Sequence, residues 1–108
     1  MPMKISLLVL RCKDIEISKT FYEQLGLVFV KEKHGNGPEH YSSEYDGVVL
    51  ELYPNKDVAP NDNSRIGFKV GDIEKIVNTI SIISTYQSNN STTYIVADPD
   101  GRKIELKE

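Results

Sequence analysis

Two carboxylates stand at matching places in a repeated stretch, and their type and spacing are the first sign of chemistry in this chain. Asp46-Gly47-Val48-Val49-Leu50-Glu51-Leu52 and Asp100-Gly101-Arg102-Lys103-Ile104-Glu105-Leu106 share the pattern Asp-Gly-x-x-(Leu/Ile)-Glu-Leu, half a chain apart. Asp-Gly is a tight-turn pair, because Gly tolerates positive φ and Asp bonds its own local backbone. The following residues alternate as a strand does, with Leu50 and Leu52 on one face and Val49, Glu51 and Tyr53 on the other. The second copy sets Ile104 and Leu106 against Lys103, Glu105 and Lys107. Each copy therefore turns a glutamate away from the core. Two such carboxylates can hold a hard ion such as Mg²⁺ with waters. One of them, with a raised pKa, can serve as a general base. Arg65 offers a planar fork suited to a carboxylate or phosphate. His34 and His40 flank a turn-forming stretch and read as solvated loop histidines, and the single Cys12 reads as inert core.

The elements that must position these groups also repeat. Leu8 to Glu16 aligns with Ile66 to Glu74, each a strand running into an Asp-Ile-Glu helix start. This offset is slightly longer than the first, so the second unit has the shorter middle. A repeat of this kind fixes the architecture as strand, helix and three strands, twice over. Ile5 to Cys12 is apolar on both faces and is expected to be covered on both sides. Asp14 is a good N-cap, Ile17, Phe21 and Leu25 with Tyr22 form an apolar stripe, and Gly26 stops the helix. Strands are expected at 28–33, 39–44 and 48–53. In the second unit the strand is 65–70, Asp72 caps a helix with the stripe Ile73, Ile76, Val77 and Ile80, and the end of that helix is open at Ile82 and Ile83. Residues 87–91 read as a loop, and strands follow at 92–97 and 102–107.

The whole chain has 108 residues, 39% hydrophobic and 27% charged, with a net charge of −3. That is one domain, residues 1–108, made of a first module at about 1–54, a linker at about 54–64 and a second module at about 65–108. Half a chain of this size is marginal for its own core, so the modules are expected to share one. The charge balance argues against nucleic acid as a partner. No apolar run has transmembrane length, so no membrane partner is expected. The lone cysteine and the absence of a signal-peptide pattern make cytoplasm the expected location.

Leu10-Arg11-Cys12-Lys13-Asp14, Phe21-Tyr22-Glu23-Gln24-Leu25-Gly26-Leu27 and Asp98-Pro99-Asp100-Gly101-Arg102-Lys103-Ile104-Glu105-Leu106 together resemble the vicinal oxygen chelate superfamily of glyoxalase I, bleomycin-resistance proteins and extradiol dioxygenases. The resemblance covers nearly the whole chain. It implies an α+β fold of two βαβββ modules, with curled mixed sheets forming a concave cleft and helices on the convex face. The ligand-binding cleft is then expected to present Leu7, Val9, Val49, Glu51 and Tyr53 from the first module, and Arg65, Gly67, Lys103 and Glu105 from the second. Arg11, Lys69 and Lys107 share those faces, Tyr94 is a further candidate for stacking on a ligand, and the faces of Tyr41 and Tyr45 stay open.

Metal-dependent members place one ligand on the first and last strand of each module, and by motif these positions fall on Leu7, Glu51, Arg65 and Glu105. Leu7 has no donor atom and Arg65 is a permanent cation, so no metal and no cofactor are expected there. The resemblance implies a metal-free protein binding a small molecule in the cleft, with Glu51, Arg65 and Glu105 in one charge cluster. The alternatives are a metal-dependent lyase or isomerase of the glyoxalase type and a non-catalytic accessory domain. A homodimer is the expected assembly.

Overall fold

The computed structural model describes residues 2–55 and 63–108. The linker expected at 54–64 therefore falls largely outside the described residues. The chain runs β1 (Leu7–Cys12), α1 (Ile15–Gln24), β2 (Val30–Glu32), β3 (His40–Tyr45), β4 (Val48–Pro54), β5 (Arg65–Lys69), α2 (Ile73–Val77), β6 (Ser84–Ser88), β7 (Ser91–Ala97) and β8 (Lys103–Lys107). Two four-stranded mixed sheets result, ordered β1-β4-β3-β2 and β5-β8-β7-β6. In each, the first strand runs parallel to the last and the middle strands are antiparallel. This is the α+β fold of paired βαβββ units.

The register of the repeat is the same in both sheets. Leu7 lies across from Val49 and Arg65 from Lys103, while Val9 faces Glu51 and Gly67 faces Glu105. Leu10, Cys12, Leu50 and Leu52 point into a core that also holds Tyr22, Ile76, Val96, Ile104 and Leu106. The two modules therefore share one apolar core on their helix-bearing faces. The opposite face of β1 is open, against the expectation of cover on both sides: Leu7 is 54% and Val9 37% exposed. Among the described residues no helix covers them, because both helices pack on the other side.

Helix α1 begins as its sequence dictates, with Asp14 Oδ1 accepting from the backbone N–H of Glu16 at 2.9 Å and of Ile17 at 3.3 Å. Its buried face is rotated from the expected stripe. Ile17 is 57% exposed, while Ser18, Tyr22 and Leu25 are buried. Hydrogen bonds decide this rotation. The Tyr22 hydroxyl donates to Asp98 Oδ2 at 2.6 Å and Ser18 Oγ to Asp100 Oδ2 at 3.4 Å, so two polar side chains are satisfied inside.

Those carboxylates belong to the Asp98-Pro99-Asp100-Gly101 turn, which clamps the second module onto the first. Asp98 also accepts from the backbone N–H groups of Asp100 and Arg102, both at 2.9 Å, and pairs with the Arg102 guanidinium at 3.0 Å. Arg102 reaches on to the carbonyl of Arg11, and Asp100 accepts from the Lys13 backbone at 2.9 Å. Burial, with Asp98 beside it, drives the Tyr22 hydroxyl far above the ordinary tyrosine pKa, so it stays a donor. Burial likewise raises the Cys12 thiol, which is free and inert in the core.

Helix α2 stops at Val77, shorter than its apolar stripe suggested, and Ile82 and Ile83 belong to neither helix nor strand. The residues expected to form a loop at 87–91 are instead a hairpin tip between β6 and β7. Asn89 and Asn90 both take positive φ, 49° and 68°, the geometry of a two-residue turn that matches strand twist. Strand β6 escaped the pattern because Ser84–Ser88 is exposed throughout and has no apolar alternation.

Candidate functional site

The open face of the second sheet carries a ladder of charge. Residues paired across β5 and β8 are Arg65 with Lys103, Gly67 with Glu105, and Lys69 with Lys107. Side chains two apart share a face, so four cations surround one carboxylate. Arg65 Nη1 sits 3.0 Å from Glu105 Oε2, and the Tyr86 hydroxyl donates to Glu105 Oε1 at 2.9 Å. The Arg65 hydrogen bond, with Tyr86 second, holds the Glu105 carboxyl below its ordinary pKa. Glu105 is thus an anion anchored for charge, and not the raised-pKa base considered from sequence. The same contact raises the Tyr86 hydroxyl. Gly67, Lys69, Tyr86, Glu105 and Lys107 help line a depression of about 480 Å³ over this face. Gly67 leaves its floor open, and a Cβ there would meet only Glu105 Cβ at 4.0 Å.

The first sheet presents a different face. Arg11, Tyr53, His40 and Glu32 form one row across β1, β4, β3 and β2. The Arg11 guanidinium lies 5.0 Å from the centroid of the Tyr53 ring, and Tyr53 stacks on His40 at 4.1 Å and 10°. His40 is 1% exposed, which corrects its reading as a solvated loop residue. The stacked Tyr53 and the carboxylates of Glu32 and Glu51 at 3.3 and 3.7 Å enclose it. Periodicity gave no warning, because the residue's cover comes from a strand distant in sequence.

The charge cluster expected of Glu51, Arg65 and Glu105 divides accordingly. Arg65 and Glu105 pair on the second sheet, and Glu51 stands beside His40 on the first. Leu7, Val9 and Val49 share the face of Glu51, as β-sheet alternation requires. Tyr94 pairs across from Leu106 and faces the core, so it does not stack on a ligand; Tyr86 occupies the place beside Glu105. Tyr41 is also in the core, its hydroxyl bonded to Glu16 at 2.7 Å, and Tyr45 is exposed.

The superfamily's metal does not fit the residues at its four positions. Leu7 supplies no donor, and the third position holds a guanidinium already bonded to the carboxylate of the fourth.

Paired βαβββ modules with open sheet faces opposite their helices define the class of this fold. The sequence profile of the Glyoxalase/Bleomycin resistance protein/Dioxygenase superfamily matches residues 4–106, and the chain belongs to that superfamily. Solved structures share its fold. The oxidase ChaP-H2 is similar with a TM-score of 0.77 at 15% identity, over 99% of this chain and 94% of that one. A glyoxalase family protein from Enterococcus faecalis gives 0.72 at 20% identity, over 97% of each chain. Lactoylglutathione lyase from Agrobacterium tumefaciens gives 0.69 at 18% identity, over 99% and 94%. No curated protein sequence matches. No helix of the described residues is long and apolar enough to cross a membrane.

Proposed function

We propose that this superfamily member binds a small anionic molecule on the open face of its second sheet, without metal at the four family positions. One observation carries the reading: Lys69 lies directly across from Lys107, both lining the depression, with Arg65 across from Lys103 further along the same face. Like charges directly opposed across strands destabilise a sheet. Glu105 offsets part of that repulsion, and an anion would offset the rest. The net charge of −3 supports a small anion over a polyanion such as nucleic acid. A second copy of the chain is the proposed cover for Leu7, Val9 and Val30, which the first sheet leaves exposed. A cytoplasmic location fits the free, buried Cys12.

The test is calorimetry of the intact chain against a panel of small carboxylates and phosphates. A saturating ligand is expected. Lys107→Met should weaken it about tenfold or more, the worth of one charge-assisted hydrogen bond. Gly67→Val should abolish binding by filling the depression while leaving the fold intact, since a Cβ has room there. Saturable binding indifferent to both substitutions would refute the proposed face.

A further inference from the structure

Three groups at the edge of the other sheet, on β2, β3 and the turn between them, bring possible ligand atoms together. His34 Nε2 and His40 Nε2 lie 3.5 and 3.3 Å from the same atom, Glu32 Oε1. Glu51 Oε2 closes a further side at 3.7 Å from His40 Nε2. One ligand atom from each of Glu32, His34 and His40 falls within 4.8 Å of the others. We propose that these three residues form a binding site for a divalent cation of the Zn²⁺ type, separate from the family's four positions and independent of the anion site above.

The state of His40 points to a cation. Its Nδ1 lies 3.2 Å from the carbonyl oxygen of Pro38. A carbonyl only accepts, so that contact places the hydrogen on Nδ1 and leaves the lone pair on Nε2. This is the arrangement of metal-binding histidines, whose second nitrogen donates to a carbonyl or carboxylate. The ring cannot turn away, because it is buried and stacked on Tyr53. Nε2 is itself buried and makes no hydrogen bond among the described residues. It faces two carboxylates, which also only accept when ionised. A buried ring nitrogen held among acceptors is costly unless a positive centre lies between them.

The two spacings to Glu32 suit a metal. Two ligands at about 2.0 to 2.1 Å from a tetrahedral ion stand about 3.3 to 3.5 Å apart. The two distances to Glu32 Oε1, 3.3 and 3.5 Å, match such an edge. Two imidazoles and a carboxylate form the mixed nitrogen and oxygen set that Zn²⁺ accepts, whereas Mg²⁺ and Ca²⁺ prefer oxygen throughout. Local sequence builds the site simply. Glu32 ends β2, His40 starts β3, and the turn between them brings His34 back beside both. That turn is closed by a hydrogen bond from the Gly37 N–H to the His34 carbonyl at 2.9 Å, and Gly35 takes a φ of +56° that few other residues adopt. Three protein ligands leave a fourth position for water, for Glu51 or for an incoming oxygen donor.

The test uses the full chain without an affinity tag, stripped of metal and titrated calorimetrically with Zn²⁺. Co²⁺ serves as a visible-absorption probe of four-coordinate geometry. One equivalent of each ion should bind. His34→Ala and Glu32→Gln should each weaken binding by about tenfold or more. The His34 side chain is 72% exposed, so its variant keeps the fold even if His40→Ala does not. Absence of saturable binding would overturn the proposal. So would binding that ignores His34→Ala and disappears in Glu105→Gln, which would move the ion to the family positions.

Discussion

Glu105 accepts from Arg65 and Tyr86 at once, and both bonds favour its charged form. Its folded pKa is therefore lowered, and the lowered value fixes the pH dependence. The cluster contributes stability above the unfolded glutamate value of about 4.3 and loses it as pH falls through the folded value. A carbon-detected NMR titration of the Glu105 carboxyl should give a midpoint below that of a free glutamate. Arg65→Met should move the midpoint up, and an unchanged midpoint would show that the guanidinium is not its main partner. The carboxylate was legible in the sequence as half of a repeat. Its partners were only partly so. Arg65 was expected beside it, while Tyr86 lies on a strand that no apolar alternation announced.

The two Asp-Gly turns look alike in sequence and differ in what they hold together. Asp46-Gly47 is an exposed hairpin tip touched by Lys4. The Asp98–Arg102 turn is buried against α1, with Asp98 and Arg102 side chains 0% and 2% exposed. Removing one partner of a buried ion pair leaves the other charge without compensation. Arg102→Met is therefore expected to lower unfolding stability by about 3 to 5 kcal/mol. Asp46→Asn should change it by no more than about 0.5 kcal/mol, since Asn also adopts positive φ. Urea unfolding of both variants measures the contrast, and equal midpoints would show that the clamp does not join the modules. The Asp98–Arg102 part of the motif that identifies the superfamily is thus a structural joint that binds the second module to the first. Lys103 and Glu105 of the same motif lie on the open face of the second sheet.

The molecule is extended, 49 × 36 × 24 Å with a radius of gyration of 14.6 Å, against about 13 Å expected for a compact chain of this length. The extension follows from two sheets sharing a core on their helix sides and leaving their other faces open. Burying exposed apolar surface is worth about 25 cal/mol per Å². A homodimer that covers Leu7 and Val9 should sediment at micromolar concentration at roughly twice the 12.2 kDa chain mass. Val9→Lys should shift it to the single-chain mass, because a lysine in a dimer interface must be desolvated. Sedimentation of the unaltered chain as a monomer would refute the assembly.

Sequence alone determined what depends on neighbours along the chain. The Asp14 cap, the strand alternation that turns Glu51 and Glu105 away from the core, and the βαβββ repeat are all local or periodic, and all stand in the structure. It also determined that Leu7 and Arg65 cannot serve as metal ligands, which is a matter of side-chain chemistry. Tertiary structure decided what depends on contact across the chain. The face that α1 buries was set by Asp98 and Asp100, more than seventy positions beyond Tyr22 and Ser18. The separation of Glu51 from Arg65 was set by strand pairing, which seats Glu51 across from Val9 in the first sheet and Arg65 across from Lys103 in the second. The burial of His40 was set by Tyr53 stacking from β4, and a histidine's burial is written in the strand that covers it and not in its own neighbours.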